Sequence, residues 1–308
     1  LYQAGEIYRS QMKDPQAIAS YAKLIAELPK SNLVPAAMYG IGIVHYENGD
    51  LKNTVTEIGK LLSAHADSDF ANDAKFLRGM CHMGLKQYQP ATTDLSQFVA
   101  SVPDSEKRHD ARFAIARCQA GLLQHDAAVA TLNALLKEKP EYERADDVLY
   151  EMAFVYVAAK KEQQAVDTFR KLVKQSPDSV KAGECWYRIG EFHQKNEQDV
   201  DAISAYTTGL KVAKLPDVRE KMYYKLGSAQ FSTEQYPQAI ATLQTLLKQY
   251  AQGELKFAAT YLLGEGLYKQ GTYPAALVEL RKVVDSKDDA AKEFHPQALY
   301  RAGMCGAN

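Results

Sequence analysis

Residues 80–84 read Met-Cys-His-Met-Gly. A thiol, an imidazole and two thioethers in so short a stretch are the groups that could ligate a soft metal or a haem iron. The rest of the chain does not supply a matching set. No paired Cys-x-x-Cys, no His-Glu-x-x-His and no phosphate-cradling glycine loop occurs. Carboxylates are plentiful but scattered, so no acid–base pair and no nucleophile is assigned. The expectation is a chain with no catalytic residue, no metal and no cofactor, in which this stretch serves packing.

Composition bounds the remaining possibilities. The chain has 308 residues, 46% hydrophobic and 24% charged, with a formal net charge of −1. That balance gives no electrostatic footprint for nucleic acid, and no Lys/Arg-rich run is present. No apolar stretch approaches the ~20 residues that span a bilayer. Four cysteines are too few for a disulfide framework in a chain of 308 residues. The chain opens on Leu1 without a methionine, so it is expected to be a fragment of a longer one.

The elements that position these residues repeat. Steps of 37 residues from Gly190 reach Gly5, Gly42, Gly79, Ala116, Ala153, Gly190, Gly227 and Gly264, and one further step of 39 reaches Gly303. Every position is tiny. Twelve residues after the first eight stand Ala17, Thr54, Ala91, Ala128, Ala165, Ala202, Ala239 and Ala276. Sixteen residues after stand Tyr21, Ile58, Leu95, Leu132, Phe169, Tyr206, Leu243 and Leu280. Proline follows at the twenty-fourth position in Pro29, Pro103, Pro140 and Pro177. Such columns mark a repeat architecture.

Each unit reads as a helical hairpin. Apolar residues surround the small slot at helical spacing, as in Trp186, Ile189 and Gly190. A polar turn follows, such as "YENGD" at 46–50 or "KQGTY" at 269–273, then a second helix that the proline ends. A lone hairpin cannot bury its apolar face, so neighbours must stack into a solenoid. The expected fold is all-α: eight hairpins plus the first helix of a ninth. Its repeats run over about 1–31, 32–68, 69–105, 106–142, 143–179, 180–216, 217–253 and 254–292, with a partial one at 293–308, in a single array over 1–308. Ser31, Ser68, Ser105 and Ser179, eleven residues before the next slot, are candidate caps of lengthened first helices.

The segments "WYRIGEFH" and "AISAYTTGL" resemble the tetratricopeptide repeat (TPR) family, whose pattern is Trp-x-x-Leu-Gly-x-x-Tyr followed by Ala-x-x-x-Phe and Pro. The resemblance covers the whole chain and implies a right-handed superhelix that binds proteins. The 37-residue period and the proline-x-serine junctions are similar to bacterial cell-envelope TPR proteins, such as the Tol–Pal-associated coordinator and outer-membrane assembly lipoproteins. That implies a periplasmic or envelope location, while four unpaired thiols lean towards a reducing interior.

Within the repeat the opening motif loses its chemistry. Cys81, Cys118 and Cys305 each lie two residues after a small slot, and Cys185 lies five before one. They read as small apolar packers. His82 shares its column with Tyr8, His45, Tyr156 and His193.

Three residues before the slot the chain places Tyr2, Tyr39, Phe76, Phe113, Tyr150, Tyr187, Tyr224, Tyr261 and Tyr300, all aromatic. In the TPR family this face of the first helix lines the concave groove where ligands bind. Extending that face gives a candidate protein-binding groove of Tyr39, Ile43, Tyr46, Phe76, Met80, Met83, Phe113, Tyr150, Phe154 and Val157, continued by Tyr187, Tyr224 and Tyr261. These aromatics either pack against neighbouring helices or anchor a partner's peptide or helix. Six residues before the slot, Asp73, Asp110, Asp147 and Glu184 form an acidic column. It either complements helix N-termini or selects a Lys- or Arg-bearing ligand.

The groove lacks the asparagines of chaperone-type carboxylate clamps and of the O-GlcNAc transferase arm, which argues against both. The functional expectation is a non-catalytic protein-interaction scaffold. The alternatives are an architectural subunit of a larger assembly, joined through repeat ends or edges, and the recognition arm of an enzyme whose catalytic domain lies elsewhere.

Overall fold

A computed structural model describes residues 1–307. Among them all regular structure is helical. The helices group into two compact units, Leu1–Ala159 and the residues from Lys160 onward. In the first unit α1 (Tyr2–Ser10) pairs with α2 (Asp14–Glu27), α3 (Val34–Glu47) with α4 (Leu51–Ala64), α5 (Ala71–Gly84) with α6 (Tyr88–Ser101), and α7 (Glu106–Gly121) with α8 (His125–Glu138). Helix α9 (Ala145–Ala158) packs on α8 and ends this unit. The second unit opens with α10 (Glu162–Gln175). It then pairs α11 (Ala182–Lys195) with α12 (Asp199–Val212), α13 (Pro216–Ser232) with α14 (Tyr236–Gln249), and α15 (Lys256–Lys269) with α16 (Tyr273–Val284). A short α17 (Asp289–Lys292) precedes α18 (His295–Ala307), which packs on α16.

The small slot and the residue sixteen positions later explain one another. A Cβ placed on Gly79 would lie 2.7 Å from Leu95, one on Gly227 2.9 Å from Leu243, and one on Gly264 2.7 Å from Leu280. At Gly5 and Gly190 the same atom would run into the rings of Tyr21 and Tyr206. Both rings are fully buried. The glycine therefore admits a large side chain of the second helix against the backbone of the first, and this contact sets how closely each hairpin closes. Gly303 meets nothing, because no second helix follows it among the described residues.

The turn inside each hairpin is also periodic. Seven residues after the slot the backbone enters the left-handed region at Met12, Gly49, Lys86 and Leu123 in the first unit. It does so again at Lys160, Glu197, Glu234 and Gly271 in the second. Around Lys86 the amide of Gln87 bonds the carbonyl of His82 at 2.8 Å, and the Lys86 amide bonds that of Met83 at 2.9 Å. That pair of bonds is a Schellman C-cap. It is repeated by Asp50 on His45 and by Gln198 on His193, both at 2.9 Å.

The prolines end the second helices as expected: α2, α6, α8 and α10 each stop two residues before one. The serines depart from the expectation. Only Ser105 caps a helix, its Oγ accepting from the Arg108 amide at 3.3 Å, and α7 is lengthened to 16 residues. At Ser31, Ser68 and Ser179 the backbone carbonyl closes a turn onto Val34, Ala71 and Ala182, ahead of ordinary 14-residue helices. There the added junction residues form a turn, not extra helix.

Candidate protein-binding surface

The hairpin contacts put the aromatic column half in and half out of the core. In the first unit, Tyr39 lies with its ring centroid 5.4 Å from Phe70, and Phe76 5.1 Å from Phe98. Tyr39 and Ile43 pack on the cluster of Ile58, Leu61, Ala74, Leu77 and Cys81. Phe76, Met80 and Met83 do the same on Leu95, Phe98 and Ile115. Burial pushes the Tyr39 hydroxyl up to about 12, helped by Asp73. Phe113 is only 5% exposed and belongs to the core. Tyr150 and Phe154, one turn apart on α9, hold their rings 4.7 Å apart. The outermost members are Tyr46 and Val157, 44% and 46% exposed.

Two members of the acidic column, Asp73 and Asp110, engage the neighbouring repeat. Asp73 on α5 pairs with Lys107 of α7, whose ammonium stands 4.9 Å from the Phe76 ring centroid. Asp110 on α7 lies 3.4 Å from Arg144, which also bonds Asp147 at 2.9 Å and caps the Phe113 ring at 4.9 Å. Asp110 further accepts from the Tyr142 hydroxyl. An acid, an aromatic and a cation from the following repeat thus recur as a unit. Cation–π placement of this kind contributes about 0.5–1 kcal/mol at exposed sites. The cations Lys107 and Arg144 stand nine residues before their slots. The sequence reading missed them, although their spacing of 34 from the preceding acid was a usable signal.

The second unit carries its own column in a more polar setting. The Tyr187 hydroxyl donates to Glu191 at 2.8 Å, and Arg188 bridges Glu184 at 3.2 Å and Glu191 at 3.0 Å. Tyr224 and Tyr261 are partly buried against the cluster around Leu246 and Leu263, and Tyr261 stacks on Phe294 with centroids 6.0 Å apart.

The opening motif is divided between packing and a turn. All four cysteines are buried, and none forms a disulfide. Burial pushes the thiols of Cys81 and Cys118 up to about 11, against a weaker opposing pull from hydrogen bonds with Thr54 and Thr92. The His82 Nδ1 is 2.6 Å from the Gln87 side-chain oxygen across the hairpin turn. His193 repeats this with Gln198 at 2.7 Å. Among the described residues Asp104, His109 and Glu138 come together as potential metal donors. Arg108, 2.9 Å from Glu138, and Arg112 already bring positive charge to that carboxylate.

With this geometry in view, comparison with known proteins is direct. Residues 57–254, well over half of the chain, match the family described as the tetratricopeptide repeat protein 21 C-terminal ARM domain. Residues 224–291 and 1–31 match two further tetratricopeptide repeat families. Among curated proteins no sequence match is found. Similar solved structures include the C-terminal part of a TPR repeat-containing protein from Cytophaga hutchinsonii, at 14% identity over 83% of this chain and 98% of that one, with a TM-score of 0.66. The apo form of RapI is similar at 14% identity over 99% and 94%, with a TM-score of 0.61. A tetratricopeptide repeat protein from Parabacteroides merdae is similar at 13% identity over 86% and 98%, with a TM-score of 0.52. At these identities the likeness shows the fold. The chain belongs to the tetratricopeptide repeat family.

Proposed function

We propose that this protein is a non-catalytic scaffold that holds a peptide or helix of a partner protein on the first helices of its first unit. The observation that carries the reading is the row of partly buried Ile43, Met80, Met83 and Phe154 with exposed Tyr46 and Val157 on α3, α5 and α9, interrupted at Arg117 of α7. Partly accessible Met and aromatic surface suits adaptable recognition of apolar side chains. In such surfaces a few anchors dominate. Truncating Phe154 to Ala is therefore expected to weaken binding of the native partner, isolated by crosslinking, by about 2 kcal/mol or more. Asp110→Asn is expected to lower the thermal midpoint and leave affinity unchanged, because Asp110 is engaged by Tyr142 and Arg144. Unchanged affinity in Phe154→Ala would defeat the proposal.

A second reading is an architectural subunit of a larger assembly, joined through repeat ends or edges. Light scattering separates the two: a scaffold stays monomeric over a concentration series, an assembly subunit does not. Placement in the cell envelope is a further proposal. It rests on the proline-x-serine junctions and is tested by fractionating the native cell.

A further inference from the structure

Along the first helices of the first unit, the positions one and four residues after the slots Gly42, Gly79, Ala116 and Ala153 read Ile43 and Tyr46, Met80 and Met83, Arg117 and Ala120, Phe154 and Val157, while the slot Gly5 is followed by the charged Glu6 and Arg9. The row is apolar except at its third member. Other cations of this unit near the face are engaged: Arg9 with Glu6 and Glu47 at 3.0 and 2.9 Å, Lys107 with Asp73, Arg144 with Asp110 and Asp147. Arg117 differs. Its side chain is 49% exposed, and among the described residues its guanidinium reaches only Glu151, at 3.7 Å, which is beyond hydrogen-bonding distance. Ala120, one turn further along α7, is small and partly exposed. Burial raises the Glu151 carboxyl above the ordinary range, with Arg117 opposing the shift and Asp147 adding to it.

We infer that the partner segment carries an acidic side chain between apolar ones, and that Arg117 receives it while the flanking residues seat on Met80 and Met83 to one side and on Phe154 and Val157 to the other. This rests on the groove reading above and adds the chemistry of the ligand to it. A guanidinium with unused donors offers a carboxylate a paired, planar contact that neither a lysine nor a neutral side chain reproduces. Apolar walls on both sides reduce the screening of that contact. A basic residue at the same point would face Arg117 directly and be rejected. Glu151 competes with the incoming carboxylate for the same guanidinium, so its neutralisation should favour binding.

The test begins with a random peptide library selected on the wild-type protein. Recovered peptides are synthesised in two forms, with the acidic residue kept or changed to its amide, and their affinities measured by fluorescence anisotropy. Recovered sequences are expected to hold Asp or Glu between apolar residues, and the amide form to bind about tenfold more weakly or worse. Arg117→Met should bring the two forms to equal affinity. Glu151→Gln should tighten the acidic form several-fold. Phe154→Ala should weaken both forms.

Equal affinity of acid and amide forms for wild type, or a preference that survives Arg117→Met, overturns the inference. If Phe154→Ala still weakens both forms in that case, the groove reading stands without it. If Phe154→Ala changes neither form, the groove reading falls and takes the inference with it. A selection that yields no binder also counts against both.

Discussion

Asp94 is buried on α6, where Arg78 of the preceding helix meets it with two hydrogen bonds of 2.7 and 2.6 Å. Removing one partner of a buried ion pair leaves an uncompensated charge, so Arg78→Ala is expected to cost about 3–5 kcal/mol in urea unfolding. Replacing both residues with apolar ones of similar volume should recover most of that loss. Glu151 behaves in the opposite sense. Its carboxyl is raised above the ordinary range by burial, with Asp147 adding to the shift and Arg117 opposing it. A raised carboxyl favours the folded state while protonated, and that contribution is lost as pH rises through the folded value. Glu151→Gln is therefore expected to raise the thermal midpoint at pH 7 and to lose its advantage below about pH 4. The buried thiols should react slowly with a thiol reagent in the native protein and fully, all four, after denaturation.

At the scale of elements, the slot and the turn make separate demands on the chain. Gly190→Ala would drive a methyl into the Tyr206 ring and Gly190→Leu would overpack the same contact, so a loss of roughly 1–3 kcal/mol is expected. Leu123 holds a left-handed backbone with φ of 61° and is exposed, so Leu123→Gly should stabilise by up to about 1 kcal/mol. A thermal midpoint that falls in Leu123→Gly would contradict this account of the turn. The slot was legible in the sequence because close helix packing demands a tiny residue at every period. The turn was legible only at Gly49 and Gly271. At Lys86, Leu123 and Glu197 the same backbone is adopted by residues that do not announce it, since the packed helices on either side fix the geometry. The serine junctions misled because the Ser31 and Ser179 hydroxyls accept from the amides of Leu33 and Lys181 within the junction turns, and so cap no helix. The acidic column was visible, but its purpose depends on Lys107 and Arg144, which are brought to it only by stacking of successive repeats.

For the whole molecule the account has each unit built from stacked hairpins, with recognition on the first helices of the residues before Lys160. None of the described helices is long and apolar enough to cross a membrane. The circular-dichroism spectrum is expected to be helical throughout, and a substantial β component would end the fold assignment. Function is tested most directly by amide hydrogen exchange on the protein with and without its native partner. The account predicts added protection concentrated in α3, α5, α7 and α9, around Tyr46, Met83, Arg117 and Phe154, with the second helices of the hairpins unchanged. Protection confined to the second helices or to α18 would contradict it and move the binding surface to the edges of the array.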